Sequence, residues 1–177
     1  MPLSKGLAIR LLADETKMKP SENLTRLGLA LPVLIKPSGA YLHCTRSGNL
    51  LFLAGKGVGA CSGKVGREVS LDQAREFART TTLMLLAVIQ REVGTIDRVS
   101  RFLKINGFIN SDPEFAQHPK VMDACSGLLE EIFGNNGLCA RTSIGVAATP
   151  DQIPLEIDAI VEIMDNETAE PTNTGDA

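Results

Sequence analysis

A chain of 177 residues, 44% hydrophobic and 22% charged, has the composition of a soluble globular protein with a sizeable core. Its formal net charge of −3 lacks the basic excess of a nucleic-acid-binding surface, and no apolar run nears the roughly 20 residues of a membrane helix. The four cysteines, Cys44, Cys61, Cys125 and Cys139, form no C-x-x-C pair, and only two histidines accompany them, which speaks against a structural zinc site. The N-terminus turns charged soon after a brief apolar patch and has no small-residue cleavage site. The expectation is a cytoplasmic protein with reduced thiols.

Residues 1–20 read as a peripheral extension, with a helical turn at Leu7–Leu12 broken by Lys17-Met18-Lys19-Pro20. Ser21–Leu27 reads as a short helix capped by Ser21 and stopped by Gly28. Val33–Ile35, between Pro32 and Pro37, is expected as an edge strand. Ala40–Thr45 and Leu50–Ala54 flank Arg46-Ser47-Gly48-Asn49 as a hairpin. The glycine-rich stretch after it lacks the βαβ setting of a dinucleotide fingerprint. It also carries Val65 where a phosphate loop needs Ser or Thr, so it reads as a connection.

Ser70-Leu71-Asp72-Gln73 is a capping box, since serine and glutamine at this spacing satisfy each other's backbone donors. Ala74, Phe77, Ala78, Thr81, Leu85 and Val88 then recur at helical spacing up to Gly94, with Asp72, Arg75 and Glu76 on the solvated face. A strand follows over Val99–Ile109, with Val99, Leu103, Ile105 and Ile109 on its inner face. Ser111-Asp112-Pro113-Glu114 is a second helix-start signal, delayed by His118-Pro119. Val121, Met122, Cys125, Leu128, Leu129, Ile132 and Phe133 form the apolar stripe of the helix, which Gly134 ends.

Two strands close the pattern, Arg141–Ala147 and Leu155–Ile163, turned by Thr149-Pro150-Asp151. Leu155, Ile157, Ala159, Val161 and Ile163 alternate with Glu156, Asp158 and Glu162. Arg141, Ser143 and Gly145 share a face, so a guanidinium begins a strand of small residues and a carboxylate, Glu156, opens the next. That combination reads as a pocket. The tail after Met164 is polar and acidic and is expected to be disordered. The element order ββαβαββ implies one α+β domain over residues 21–164, with two helices on one face of a mixed sheet.

Three motifs in order carry a family resemblance. Gly39-Ala40-Tyr41 through Gly48-Asn49-Leu50-Leu51-Phe52 to Gly55 resembles the G-P-Y-S-x…G-N-x-x-F-x-S-G opening of the RidA (YjgF-type) family. Arg141-Thr142-Ser143-Ile144-Gly145-Val146 is similar to its A-R-S-x-V-x-V strand, and Leu155-Glu156-Ile157-Asp158-Ala159-Ile160 to its V-E-I-E-A-I strand. The resemblance implies a chorismate-mutase-like fold, a homotrimer with clefts between neighbouring subunits, and hydrolysis of 2-aminoacrylate enamines and their imines to 2-keto acids and ammonia. By the same resemblance Arg141 binds the substrate carboxylate, for which a planar fork of donors is suited. Glu156 activates the attacking water. Tyr41, Gly55 and Ser143 line the cleft, and no metal or organic cofactor is implied.

The chain departs from the pattern at Ala54, where the family has serine, at Lys56, where it has glutamine, and at Pro113, aligned with a ligand-binding asparagine for which Asn106 and Asn110 are the candidate substitutes. Other readings stand beside the hydrolase. As the weaker alternatives, Arg141 reads as a surface or trimer-interface salt-bridge residue and Glu156 as the solvated face of an edge strand; Tyr41 reads as readily as a packed core or interface residue, His43 more readily as a structural histidine, and the cysteines as small hydrophobes. As function, the alternatives are a non-catalytic trimer that binds small carboxylates and an endoribonuclease, which the acidic balance and the lack of a histidine pair disfavour.

Overall fold

In a computed structural model that describes residues 18–164, the chain forms α1 (Pro20–Arg26), β1 (Cys44–Ser47), β2 (Leu50–Lys56), α2 (Leu71–Val93), β3 (Val99–Asn110), α3 (His118–Phe133), β4 (Ala140–Val146) and β5 (Leu155–Ile163). The expected turn at Leu7–Leu12 and the acidic tail lie outside the described residues. The five strands make one mixed sheet in the order β1-β2-β5-β3-β4, parallel only between β3 and β4. Helices α2 and α3 pack on one face, and among the described residues the other face stays open. No described helix is long and apolar enough to cross a membrane.

β5 takes a central place because all five of its alternating apolar residues are buried against the helices. The α3 stripe from Val121 to Phe133 is likewise buried in full. Each such side chain contributes about 1.5–3 kcal/mol relative to exposure, so this seam dominates the stability of the fold. The capping box at Ser70 is formed in both directions, Gln73 N–H donating to Ser70 Oγ at 3.2 Å and Ser70 N–H to Gln73 Oε1 at 2.9 Å. The β1–β2 turn has two residues, with Gly48 at φ 58° as a tight hairpin requires.

Four expectations are corrected. Val33–Ile35 is not a strand: the two flanking prolines withhold donors, and Val33 and Ile35 stand 95% and 82% exposed. The first hairpin strand begins at Cys44, which leaves Tyr41 and Leu42 in the preceding loop. Ser21 does not cap α1; Lys19 holds that position, and Ser21 donates through its N–H and Oγ to the Asp97 carboxylate, both at 2.8 Å. On β3 the inner face takes Phe102 in place of Leu103, because register shifts at Val99/Arg101 and Phe102/Lys104 invert the alternation there.

Candidate functional site

Arg141 is the second residue of the edge strand β4 and pairs with Ile105, whose side chain is buried beneath the helices. Residues paired across a ladder project to one side of the sheet, so Arg141 turns toward the helix layer. There α3 meets it. Arg141 Nη1 donates to Asp123 Oδ1 at 2.9 Å and to Ser126 Oγ at 3.0 Å. Asp123 and Ser126 are three residues apart and therefore adjacent on the exposed side of α3. Among the described residues Nη2 and Nε of Arg141 and Oδ2 of Asp123 make no hydrogen bond. The guanidinium side chain is 24% exposed and that of Asp123 55%. The salt bridge foreseen for Arg141 is present, and it leaves one edge of the fork open.

Glu156 lies on the other face. It pairs with Phe108 and alternates with the buried Leu155 and Ile157, so it projects from the open side of the sheet. Its carboxylate fills the space above Gly55, where a Cβ would run into the carboxylate group. Among the described residues no donor is bonded to it. Beneath, a register shift between Leu53 and Lys56 lifts this part of β2. The buried Lys56 holds the lifted backbone, its Nζ donating to Ala54 O at 3.0 Å and Gly55 O at 2.9 Å. Burial pulls the Lys56 pKa below its ordinary value. The lysine that replaces the expected glutamine is thus a backbone pin.

Within one chain, then, Arg141 and Glu156 stand on opposite faces of the sheet and do not share a pocket. Ser143 joins Arg141 on the helix side, since it pairs with Gly107, against which Met122 of α3 packs. Gly55 joins Glu156. Tyr41 stands 49% exposed in the loop before β1, its ring edge-on to His43 at 6.4 Å. His43 is buried, with Nε2 2.7 Å from Ile35 O. Asn106 donates to Asp158 at 2.7 Å on the open face, and the buried Asn110 accepts from Lys64 Nζ at 3.0 Å. The residue set beside Arg141 is Asp123. Its sequence signal was a polar pair at i and i+3 interrupting an apolar helix, which a stripe-counting reading passes over.

A second cluster lies further along the same face, where Gly145 of β4 faces the start of α3. His118 Nε2 is 3.0 Å from Ser111 Oγ, and a Cβ on Gly145 would lie 2.6 Å from the former and 2.7 Å from the latter. Phe115 packs edge-on to the imidazole at 5.2 Å, and burial holds the His118 pKa below the ordinary histidine value. This pair opens into a cavity of about 560 Å³ whose wall is tied by Lys64 Nζ, 3.0 Å from Ala147 O. The glycine-rich stretch starts no helix; α2 begins only at Leu71. Cys44 and Cys125 are buried, Cys61 and Cys139 are half-buried, and all four are free thiols.

A mixed five-stranded sheet with its helices on one face and a single parallel pair at one edge defines the chorismate-mutase-like architecture. A profile of the family described as "YjgF/chorismate_mutase-like, putative endoribonuclease" matches residues 22–164, and the chain belongs to this family. It is 35% identical over 147 residues to the protein TCP17 of Trypanosoma cruzi, spanning 80% of this chain and 92% of that one. The crystal structure of Atu1372 from Agrobacterium tumefaciens, a protein with unknown function, is 34% identical with a TM-score of 0.75, over 82% of this chain and 94% of that one. A structure from Shewanella oneidensis MR-1, titled a putative endoribonuclease, superposes with a TM-score of 0.78 at 24% identity, over 82% and 100% of the two chains. That last likeness concerns the fold.

Proposed function

We propose that the chain forms a homotrimer whose inter-subunit clefts hydrolyse enamine/imine intermediates of the 2-aminoacrylate type to 2-keto acids and ammonia. The observation that carries this reading is the placement of Arg141, half-shielded on an edge strand with two of its three guanidinium nitrogens unoccupied among the described residues, in the family's arginine motif. A free guanidinium edge is suited to a carboxylate. Glu156 is unengaged among the described residues but lies on the opposite face, so the two meet only if the β4 edge of one subunit approaches the open face of the next. That open face favours such an approach, since Phe52 and Ile144 stand 41% and 45% exposed on it.

In the cleft the carboxylate of the imine lies against Arg141, and Glu156 of the neighbouring copy takes a proton from water as it attacks the C=N carbon. The resulting carbinolamine collapses with loss of ammonia and leaves the 2-keto acid. Gly55 admits the Glu156 carboxylate close to the backbone, while Tyr41 and Ser143 line the cleft from its two sides. The electrophile is already present in the imine, so the residues supply binding, orientation and proton transfer.

The second reading, a trimer that binds small carboxylates without turning them over, draws support from the Arg141–Asp123 pair, which occupies one edge of the guanidinium. An RNA-cleaving role, suggested by the relatives' names, has against it the net charge of −3. The deciding assay is ammonia release from iminopyruvate generated in situ by a serine dehydratase, with wild type beside Arg141→Ala and Glu156→Gln. Acceleration that both substitutions abolish supports the hydrolase. No acceleration by folded wild type with several parent amino acids overturns it, and binding of keto acids under those conditions supports the second reading.

A further inference from the structure

The ion pair at Arg141 has a consequence for which ligands the site prefers. A lone guanidinium at the sheet edge attracts any anion. Here Asp123 Oδ1 and Ser126 Oγ hold Nη1, so the pair as a whole is electrically neutral. A singly charged 2-keto acid placed on the free edge of Arg141 meets the Asp123 carboxylate at close range, and the two like charges repel. A ligand whose carboxylate is next to a protonated nitrogen meets two matched charges instead. Asp123 Oδ2 has no partner among the described residues, and its side chain is 55% exposed. On the neighbouring strand Lys104 is tied to Thr142 Oγ1 at 2.6 Å, and Thr142 projects to the opposite face, so this cation does not cancel Asp123.

We propose that Asp123 is a specificity-determining residue that reads the protonated nitrogen of the ligand whose carboxylate Arg141 holds, so that the site takes zwitterionic amino and iminium acids in preference to 2-keto acids. This rests on the carboxylate-binding reading of Arg141. It gives the hydrolase a direction, since the substrate iminium is retained and the keto-acid product, which has lost the nitrogen, is repelled. Ser126 acts as a positioning residue by fixing the shared Nη1.

The test uses two ligands of equal size, L-alanine and pyruvate, with dissociation constants measured by titration calorimetry on the full-length protein. Wild type is expected to bind alanine roughly tenfold more tightly than pyruvate, the scale of one half-exposed charge at contact distance. Asp123→Asn keeps the acceptor for Arg141 and removes the charge, so the ratio should collapse toward one, with pyruvate binding gained as alanine binding is lost. Asp123→Ala serves as a second variant with the same expected change in ratio. A ratio unaltered in both, while Arg141→Gln abolishes binding of both ligands, overturns the role of Asp123 and leaves the carboxylate site standing. Binding that is absent in wild type, or that survives Arg141→Gln, overturns the carboxylate site and the role of Asp123 with it.

Discussion

Gly55→Ala separates the chemistry from the stability of the fold. A methyl group at this position would overlap Glu156 Oε1 and lie 2.6 Å from its Cδ and 2.8 Å from its Cγ, so the carboxylate must swing away by roughly 1.5 Å to reach ordinary contact. Glu156 is half-buried and flexible, and its displacement into a neighbouring rotamer costs about 0.5–1.5 kcal/mol. Against this the alanine removes backbone freedom from the unfolded chain, worth about 0.4–1 kcal/mol. Net destabilisation should therefore stay below about 1 kcal/mol in urea titration. On the proposed hydrolase reading the catalytic effect is far larger, because even a 1 Å misplacement of a reacting group costs on the order of a hundredfold. Ammonia release by Gly55→Ala should thus fall nearly as far as in Glu156→Gln, with an almost unchanged urea midpoint. Full activity in Gly55→Ala alongside an inactive Glu156→Gln would refute the argument, as would a stability loss above about 3 kcal/mol.

Three further outcomes follow from the fold. Ser70→Ala removes one half of the α2 capping box and should cost about 1 kcal/mol, read as a lowering of Tm by about 2–4 °C in calorimetry. Burial pushes the thiols of Cys44 and Cys125 up to about 11 from 9.0, so the unfolded chain loses these protons first. Stability should be unaffected by them below pH 9 and should fall as pH rises from 9 to 11, and Cys61 should react with a disulfide reagent ahead of Cys125. Gln152 occupies the left-handed region at φ 57° next to Asp151 at φ 53°, so Gln152→Gly should stabilise by about 0.5–1 kcal/mol in the same urea titration.

Much of the architecture was legible in the sequence because periodicity is a local property. The alternation of β5, the stripe of α3 and the capping box of α2 each follow from side-chain direction and unpaired backbone donors, which neighbouring residues alone determine. The failures share a cause. The interval Val33–Ile35 has strand composition but no partner to pair with among the described residues, and Leu103 lost its inward place to Phe102 through a register shift against the neighbouring strand β5. Ser21 was drawn from its capping role by Asp97, 76 residues away.

The site divides along the same line. Sequence alone marked Arg141, Ser143, Glu156, Gly55 and Tyr41 by motif and spacing, and it settled the family. Which residues face one another was beyond it, because a sheet residue's face depends on the ladder and a helix residue's neighbours on how the helix lies across the strands. The tertiary structure alone put Arg141 and Glu156 on opposite sides of one sheet, set Asp123 and Ser126 of α3 against the guanidinium, and joined Ser111 to His118 beneath Gly145. Local pattern names the groups able to do chemistry; long-range packing decides which of them meet.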